Sequence, residues 1–149
     1  MLVKSYSLWY LCENMTDTFE NFLNDITRCF LEPNFDLWRS RLILPFSIVM
    51  KDGTMVLSDV DEVKRNFDLY LKAVEIMKPD VIDRSIVSFE HCDDGSILGT
   101  FRTRVVRDGI LVIEPYAGTA LLRRIDGRLQ MSSLLNARGH HEWTGIRGH

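Results

Sequence analysis

Apolar residues recur every three or four positions near the start of the chain, and this spacing predicts an amphipathic helix. The helix is predicted to begin at Thr16 or Asp17, either of which can act as an N-cap, and to end at Pro33. Asn34 can then cap a second, short helix over residues 35–39. The aromatic residues of both segments are expected to face the same core.

A longer helix is predicted in the middle of the chain. Ser58 or Asp59 can begin it, and Lys78-Pro79 ends it, because proline cannot continue a helix. Six apolar residues lie on one stripe of this segment, with charged residues on the other: Val63, Phe67, Tyr70, Leu71, Val74 and Met77.

The remaining segments have the patterns of β-strands. Residues 42–50 and 54–57 form a predicted hairpin around the turn dipeptide Asp52-Gly53. From Val81 onward, β-rich runs are separated by further Asp-Gly pairs, which are typical of tight hairpin turns. Those turns predict a four-stranded antiparallel meander, and the pairs are Asp94-Gly95, Asp108-Gly109 and Asp126-Gly127.

Helices first, then a hairpin, a long helix and a meander make an α+β chain with helices on one face of a sheet. This order resembles the NTF2-like superfamily, also called SnoaL-like or cystatin-like, over residues 16–137. Three motifs carry the resemblance: Phe35-Asp36-Leu37-Trp38, Lys51-Asp52-Gly53-Thr54 and Leu121-Leu122-Arg123-Arg124-Ile125-Asp126-Gly127-Arg128-Leu129. It implies a cone in which a strongly bent antiparallel sheet wraps the helices. We expect one domain over residues 1–149, with an N-terminal extension (1–15) and a C-terminal tail (138–149).

The composition fits one folded domain and excludes several functions. The chain has 149 residues, of which 46% are hydrophobic, enough to bury a core. Its net charge of −3 provides no global positive field for nucleic acid or an anionic membrane. No apolar run has the length needed to span a bilayer, and three widely spaced cysteines do not indicate a disulfide framework. We therefore expect a cytoplasmic protein with neither nucleic acid nor membrane as a partner.

No motif for nucleotide phosphates or for a zinc protease is present, so no cofactor is expected. The run Gly139-His140-His141-Glu142-Trp143 contains potential metal ligands. Adjacent histidines on an extended segment point in opposite directions, so they cannot easily share one ion. The sequence therefore predicts no metal site.

Counting back from each Asp-Gly turn assigns the meander residues to two faces of the sheet. The face expected to meet the helices includes small residues such as Gly99 and Gly118, which allow close approach. The opposite face, with Leu98, Leu121 and Leu134, is too apolar for a simple solvated surface. Several polar and apolar candidates share the predicted inner face: Arg84, Glu90, Phe101, Thr103, Glu114, Tyr116, Ser133 and Leu135.

Glu114 and Tyr116 are the predicted catalytic pair, two residues apart on the inner face. A carboxylate among apolar side chains has its pKa raised by desolvation and can act as a general acid or base near neutral pH. The Tyr116 phenol can donate to a developing oxyanion. The alternative is a structural role, in which Glu114 pairs with Arg84 or hydrogen-bonds Thr103.

Five further residues are predicted to bind the ligand. Arg84 and Glu90 can orient its polar part near the mouth of the cone, although a salt bridge at the rim is the alternative. Trp38 and Phe101 can form an aromatic wall, or simply core packing, and Thr103 adds a hydroxyl. The predicted ligand is a small, mostly apolar molecule, with isomerase-, cyclase- or dehydratase-like chemistry as one option.

The resemblance also implies a homodimer through the outer sheet face. Two non-enzymatic hypotheses remain open beside the ligand-binding one. The segments Arg84-Ser85-Ile86-Val87-Ser88 and Leu122-Arg123-Arg124-Ile125-Asp126-Gly127 resemble the β subunits of ring-hydroxylating dioxygenases, which share the fold and carry no metal. Such a subunit would be structural. In the other hypothesis the protein is a dimeric interaction module whose cone is only core.

Overall fold

The computed structural model describes residues 17–139 and residue 142. Within that part of the chain lie three helices, α1 (Phe19–Leu31), α2 (Phe35–Ser40) and α3 (Val60–Met77). All three were predicted from the helical spacing. The predicted N-terminal extension and residues His140, His141 and Trp143 lie outside the described residues.

The described strands form one seven-stranded sheet in the order β2-β1-β7-β6-β4-β3, with β5 paired to β4. The pairings are antiparallel except for β1 with β7, which run parallel. The predicted hairpin and the predicted meander are both confirmed, and the parallel pairing joins them. The strands are β1 (Leu42–Met50), β2 (Gly53–Leu57), β3 (Val81–His91), β4 (Ile97–Arg107), β5 (Ile110–Leu111), β6 (Tyr116–Ile125) and β7 (Arg128–Leu135).

Side-chain caps define where the helices begin. The Asn34 side chain accepts a hydrogen bond from the Leu37 amide at 3.1 Å, and Asp59 accepts one from the Glu62 amide at 2.9 Å, as the sequence predicted. The prediction for α1 was wrong by one or two residues. Its N-cap is Thr18, whose hydroxyl accepts from the Asn21 amide at 3.0 Å.

Asp17 is not the cap of α1 because its carboxylate binds elsewhere. It pairs with the guanidinium of Arg41 at 2.6 Å and accepts from the Leu129 amide at 2.6 Å. Asp25, further along α1, also binds Arg41, at 2.7 Å. These contacts fasten α1 to the start of β1 and to β7.

The core lies between the three helices and one face of the sheet. Gly99 on β4 lets α1 approach closely, because a Cβ atom there would lie 2.5 Å from the Phe19 ring. The predicted inner face of β4 and β6 is confirmed, since alternate residues from Gly99 to Val105 and from Tyr116 to Leu122 are buried. The helices therefore cover the face that the Asp-Gly turns predicted.

A β-bulge in β3 corrects the prediction for Glu90. Ile86 pairs with Phe101, but the next pair is Ser88 with Thr100, so one extra residue is inserted in β3. Every residue beyond it changes face. Glu90 is consequently exposed, while Phe89 packs against the core, with its ring centroid 5.4 Å from that of Phe19.

A second bulge exchanges the faces near the end of β7. The register shifts between the pairs Leu122 with Met131 and Leu121 with Ser133. Leu134 therefore turns inward, whereas Leu135 is 38% exposed. The sequence predicted the opposite for both residues, because counting from one turn assumes an uninterrupted ladder.

The link between β5 and β6 corrects the prediction for Glu114. The Asp108-Gly109 turn is a two-residue hairpin, but it joins β4 only to the short strand β5. An irregular segment, residues 112–115, follows before β6 begins at Tyr116. Thr103 consequently pairs with Tyr116 instead of Glu114, and Glu114 is exposed.

Candidate functional site

A cavity of about 60 Å³ lies inside the cone, between the helices and the inner face of the sheet. That volume is several times the space that one water molecule needs. Its walls are mainly aromatic and aliphatic, a composition typical of small-molecule sites. The principal apolar contributors are Ile26, Phe30, Phe46, Ile48, Phe101 and Met131.

Three polar residues form a row across the inner face beside this cavity. Arg84 on β3 pairs with Thr103 on β4, which in turn pairs with Tyr116 on β6. Cross-strand partners present their side chains on the same face, so all three point inward. Arg84 and Tyr116 line the cavity, and Thr103 lies between them with no exposed surface.

Arg84 is a partly buried cation with few partners among the described residues. Its Nη1 donates to the Thr27 hydroxyl of α1 at 2.5 Å, while its Nε is enclosed and has no partner among the described residues. No carboxylate of the described chain forms an ion pair with it. Burial lowers the pKa of the guanidinium, opposed by the nearby Tyr116 and Cys29.

Trp38 and Thr103 also hold buried polar atoms without a partner. Both the Trp38 indole Nε1 and the Thr103 hydroxyl oxygen lack a hydrogen bond within the described part of the chain. Trp38 is fixed by aromatic packing, with ring-centroid distances of 5.2 Å to Phe30 and 6.1 Å to Phe46. Such unpaired groups are uncommon in folded proteins, and they often mark a place where a further partner binds.

The segment after β7 covers one end of the cavity. Tyr70 on α3 donates its hydroxyl to the Arg138 carbonyl at 2.7 Å, and burial raises the pKa of Tyr70. The Arg138 guanidinium lies 4.7 Å from the centroid of the Tyr116 ring, within range of a cation–π interaction. Its Nε also lies 3.9 Å from the Glu142 carboxylate. Arg138 is therefore held at the rim on two sides.

The predicted site residues separate into two groups. Trp38, Arg84, Phe101 and Tyr116 line the cavity, and Thr103 adjoins it. Glu90 and Glu114 are exposed and do not line the cavity. Glu90 is turned outward because of the bulge in β3, and Glu114 because it lies in the irregular segment after β5.

Sequence reasoning missed Asn66, Tyr70 and Arg138, which also line the cavity. The predicted apolar stripe of α3 includes Tyr70, so the sequence predicts only a packing role for it. Asn66 precedes Phe67 on the same helix and is 6% exposed, and a buried amide in an amphipathic helix was the available signal. Arg138 lay in the predicted tail, where the sequence offers no pattern.

The lining offers hydrogen-bond donors to a ligand, and its described residues include no carboxylate or imidazole that could act as a general base. Within residues 17–139 and 142, no aspartate, glutamate or histidine contributes to it. No cluster of three potential metal ligands occurs in the same part of the chain. The arrangement can therefore hold a molecule that carries acceptor oxygens, but it contains no carboxylate to remove a proton.

The helices that the structure describes are too short or too polar to cross a lipid bilayer. The lengths of the predicted apolar runs led to the same expectation.

Solved structures share this architecture. An NTF2-like protein of unknown function from Shewanella oneidensis MR-1 superposes with a TM-score of 0.61 at 10% identity, over 78% of this chain and 93% of its own. A domain of unknown function with a cystatin-like fold from Nostoc punctiforme PCC 73102 gives 0.60 at 13% identity, over 79% and 73%. Aln2 from a Streptomyces species gives 0.60 at 15% identity, over 78% and 85%.

No protein-family model matches the chain, and no curated protein matches it in sequence. Identities this low show the fold alone. The NTF2-like, cystatin-like fold expected from the sequence is thereby confirmed. Fold does not determine function, so the function must be argued from the cavity itself.

Proposed function

We propose that the cone binds a small, mostly apolar molecule. The observation that supports this is a cavity with aromatic and aliphatic walls next to which the Trp38 indole N–H has no partner in the described structure. A buried donor left unpaired costs about 1–3 kcal/mol. A ligand that supplies an acceptor oxygen removes that cost while its apolar part fills the cavity.

Binding, without proton transfer by a carboxylate, is the function that the lining supports. Glu114 and Glu90, the acidic candidates, both lie outside it. Tyr116 lines the cavity, is 9% exposed and pairs with Thr103 in the cross-strand row. Its proposed role is to orient an oxygen of the bound molecule.

The test compares the same substitution on the two faces of β7. Leu134 lines the cavity, whereas its neighbour Leu135 is exposed on the opposite face. Leu134→Phe is expected to weaken binding of isobutyramide or benzamide about tenfold or more, because the larger ring occupies space that the ligand needs; tenfold corresponds to about 1.4 kcal/mol. Leu135→Phe is the matched control. Binding is measured by saturation-transfer NMR and calorimetry.

A smaller change covers the case in which Leu134→Phe does not fold. Gly118 lines the cavity, and a Cβ atom there would lie 3.4 Å from its nearest neighbour, the Leu135 carbonyl. Gly118→Ala therefore adds one methyl group without a severe clash. Binding of neither amide to the unmodified protein, or equal binding to the Leu134 and Leu135 variants, would contradict the proposal.

We also propose a homodimer through the outer face of the sheet. Leu98 pairs there with Leu121, beside a hydrogen bond of 2.9 Å between the hydroxyls of Thr100 and Thr119. Leu121→Glu is expected to convert a dimer to a monomer in sedimentation, whereas Leu69→Glu, on the exposed side of α3, should not. A chain that sediments alone as a dimer also argues against the structural-subunit hypothesis, and a monomer at all concentrations contradicts the dimer.

A further inference from the structure

We propose that the ligand of the cone is an organic acid, and that Arg84 binds its carboxylate while the apolar body occupies the cavity. This inference rests on the proposed ligand-binding function and names the chemical class of the ligand. It follows from the hydrogen bonds and the position of one residue.

Two donor atoms of Arg84 have no partner among the described residues. Its Nη1 is fixed by the Thr27 hydroxyl, and neither Nε nor Nη2 has a hydrogen-bond partner among the described residues. Nε and Nη2 form one edge of the planar guanidinium. That edge matches the two oxygens of a carboxylate, which it can bind through parallel hydrogen bonds.

The charge of Arg84 also lacks a counterion in residues 17–139 and 142. Asp83, its neighbour on β3, points to the other face and lies 3.6 Å from Arg104. Glu32 lines the same groove as Arg84 but forms no ion pair within the described part of the chain. A partly buried cation without a counterion is unfavourable, so an anionic group beside it is favoured over a neutral one of the same shape.

Arg84 occupies the boundary between two spaces. A groove of about 220 Å³ runs between α1 and β3, and its lining includes Thr27, Glu32 and Asp83. Arg84 belongs to the lining of both the groove and the cavity. The groove is lined by polar and apolar groups in similar measure, whereas the cavity is mostly apolar. The position of Arg84 between the groove and the cavity suits an amphiphilic acid whose charged end lies at Arg84 and whose apolar end points into the cone.

The experiment uses matched pairs of acid and amide that differ only in charge. Isobutyrate is compared with isobutyramide, and benzoate with benzamide, by calorimetry on the full-length protein. The unmodified protein is expected to bind each acid about tenfold or more tightly than its amide, as charge-assisted bidentate bonds exceed neutral ones. The acid should also raise the melting temperature more than the amide does.

Arg84→Met removes the charge while keeping an unbranched apolar side chain. It is expected to abolish the preference for the acid, so that each acid and its matched amide bind this variant within about twofold of each other. Arg102→Met is the matched control, since Arg102 on β4 is exposed on the opposite face and its loss changes the net charge equally. The preference should persist in that variant.

The outcomes distinguish this inference from the proposed function. Equal binding of acid and amide to the unmodified protein overturns the inference but leaves ligand binding intact. A preference that survives in Arg84→Met, or that falls equally in Arg102→Met, also overturns it. Binding of no member of either pair overturns both.

Discussion

Two inward-pointing arginines, Arg41, which is buried, and Arg84, which is partly buried, differ in how many of their donors the described chain satisfies. Arg41, 2% exposed, makes five hydrogen bonds, to Asp17, to Asp25 and to the Leu129 carbonyl. A guanidinium has five N–H donors, so Arg41 is fully satisfied. Arg84 makes one hydrogen bond, to Thr27.

The protonation equilibria of the two groups show the same difference. Burial alone would lower the pKa of Arg41, but the hydrogen bonds and charges of Asp17 and Asp25 outweigh it and raise the pKa. Burial lowers the pKa of Arg84, and no carboxylate opposes that effect. A fold of this kind can satisfy a buried arginine completely. The comparison therefore shows that Arg84 has hydrogen-bond donors without a partner among the described residues.

The largest expected change in the free energy of unfolding follows from replacing Arg41, whose hydrogen-bond donors are all satisfied. Arg41→Met leaves Asp17 and Asp25 partly buried without their cation, and breaking a buried pair in this way costs about 3–5 kcal/mol. The measurement is the free energy of unfolding in urea. Arg104→Met, on an exposed pair, is the control and should change stability by less than about 1 kcal/mol. A loss for Arg41→Met as small as the control's would contradict the structural role.

The next effect concerns acid stability. Burial raises the pKa of Asp17, but the hydrogen bonds of Arg41 and of the Leu129 amide outweigh it and hold the pKa below the ordinary 3.8. The lowered pKa means that stability from Asp17 is complete above the unfolded value and is lost as the pH falls through the folded one. Urea unfolding should therefore show stability declining below about pH 4.

The decline in stability at low pH can be compared between variants of the two arginines. It should flatten in Arg41→Met, because the carboxylate no longer has its partner. It should persist in Arg84→Met, since Arg84 binds no described carboxylate. A flattened profile in the Arg84 variant would show that an acidic group outside the described residues pairs with it.

A smaller effect, of opposite sign, is expected when the unsatisfied arginine is replaced. Arg84→Met removes a partly buried charge and the one hydrogen bond that it makes to the described residues, so stability should stay unchanged or rise by about 1–2 kcal/mol. Urea unfolding of the ligand-free protein measures it. Destabilisation comparable to that of Arg41→Met would remove the distinction between the two residues.

The fold was largely predictable from local signals, because capping residues and Asp-Gly turns act within a few positions of themselves. Asn34, Asp59 and the Asp126-Gly127 turn all perform their predicted roles. The fully satisfied Arg41 was not predictable. Its carboxylate partners lie 16 and 24 positions away, on a segment whose spacing indicated only a helix and its cap.

Of the six predicted site residues that the same counting assigned to the inner face, four lie there, and two do not because the strand ladder is interrupted before them. Arg84 precedes the bulge in β3 and was placed correctly, whereas Glu90 follows it and was not. Glu114 failed because the sequence does not show that the chain leaves the ladder between β5 and β6. Bulges respond to the curvature of the whole sheet, which no local pattern records.

The smallest expected effect isolates the contact that orients Arg84. Thr27→Val keeps the shape of the side chain but removes the hydroxyl that accepts from Nη1, at a cost of about 1 kcal/mol. In an Arg84→Met background the same substitution should cost less, because no donor remains to lose its partner. The four unfolding free energies of this double-mutant cycle give a coupling of about 0.5–1 kcal/mol if the hydrogen bond fixes the guanidinium. Additive effects would show that Thr27 does not hold Arg84, and that its free edge is not oriented by α1.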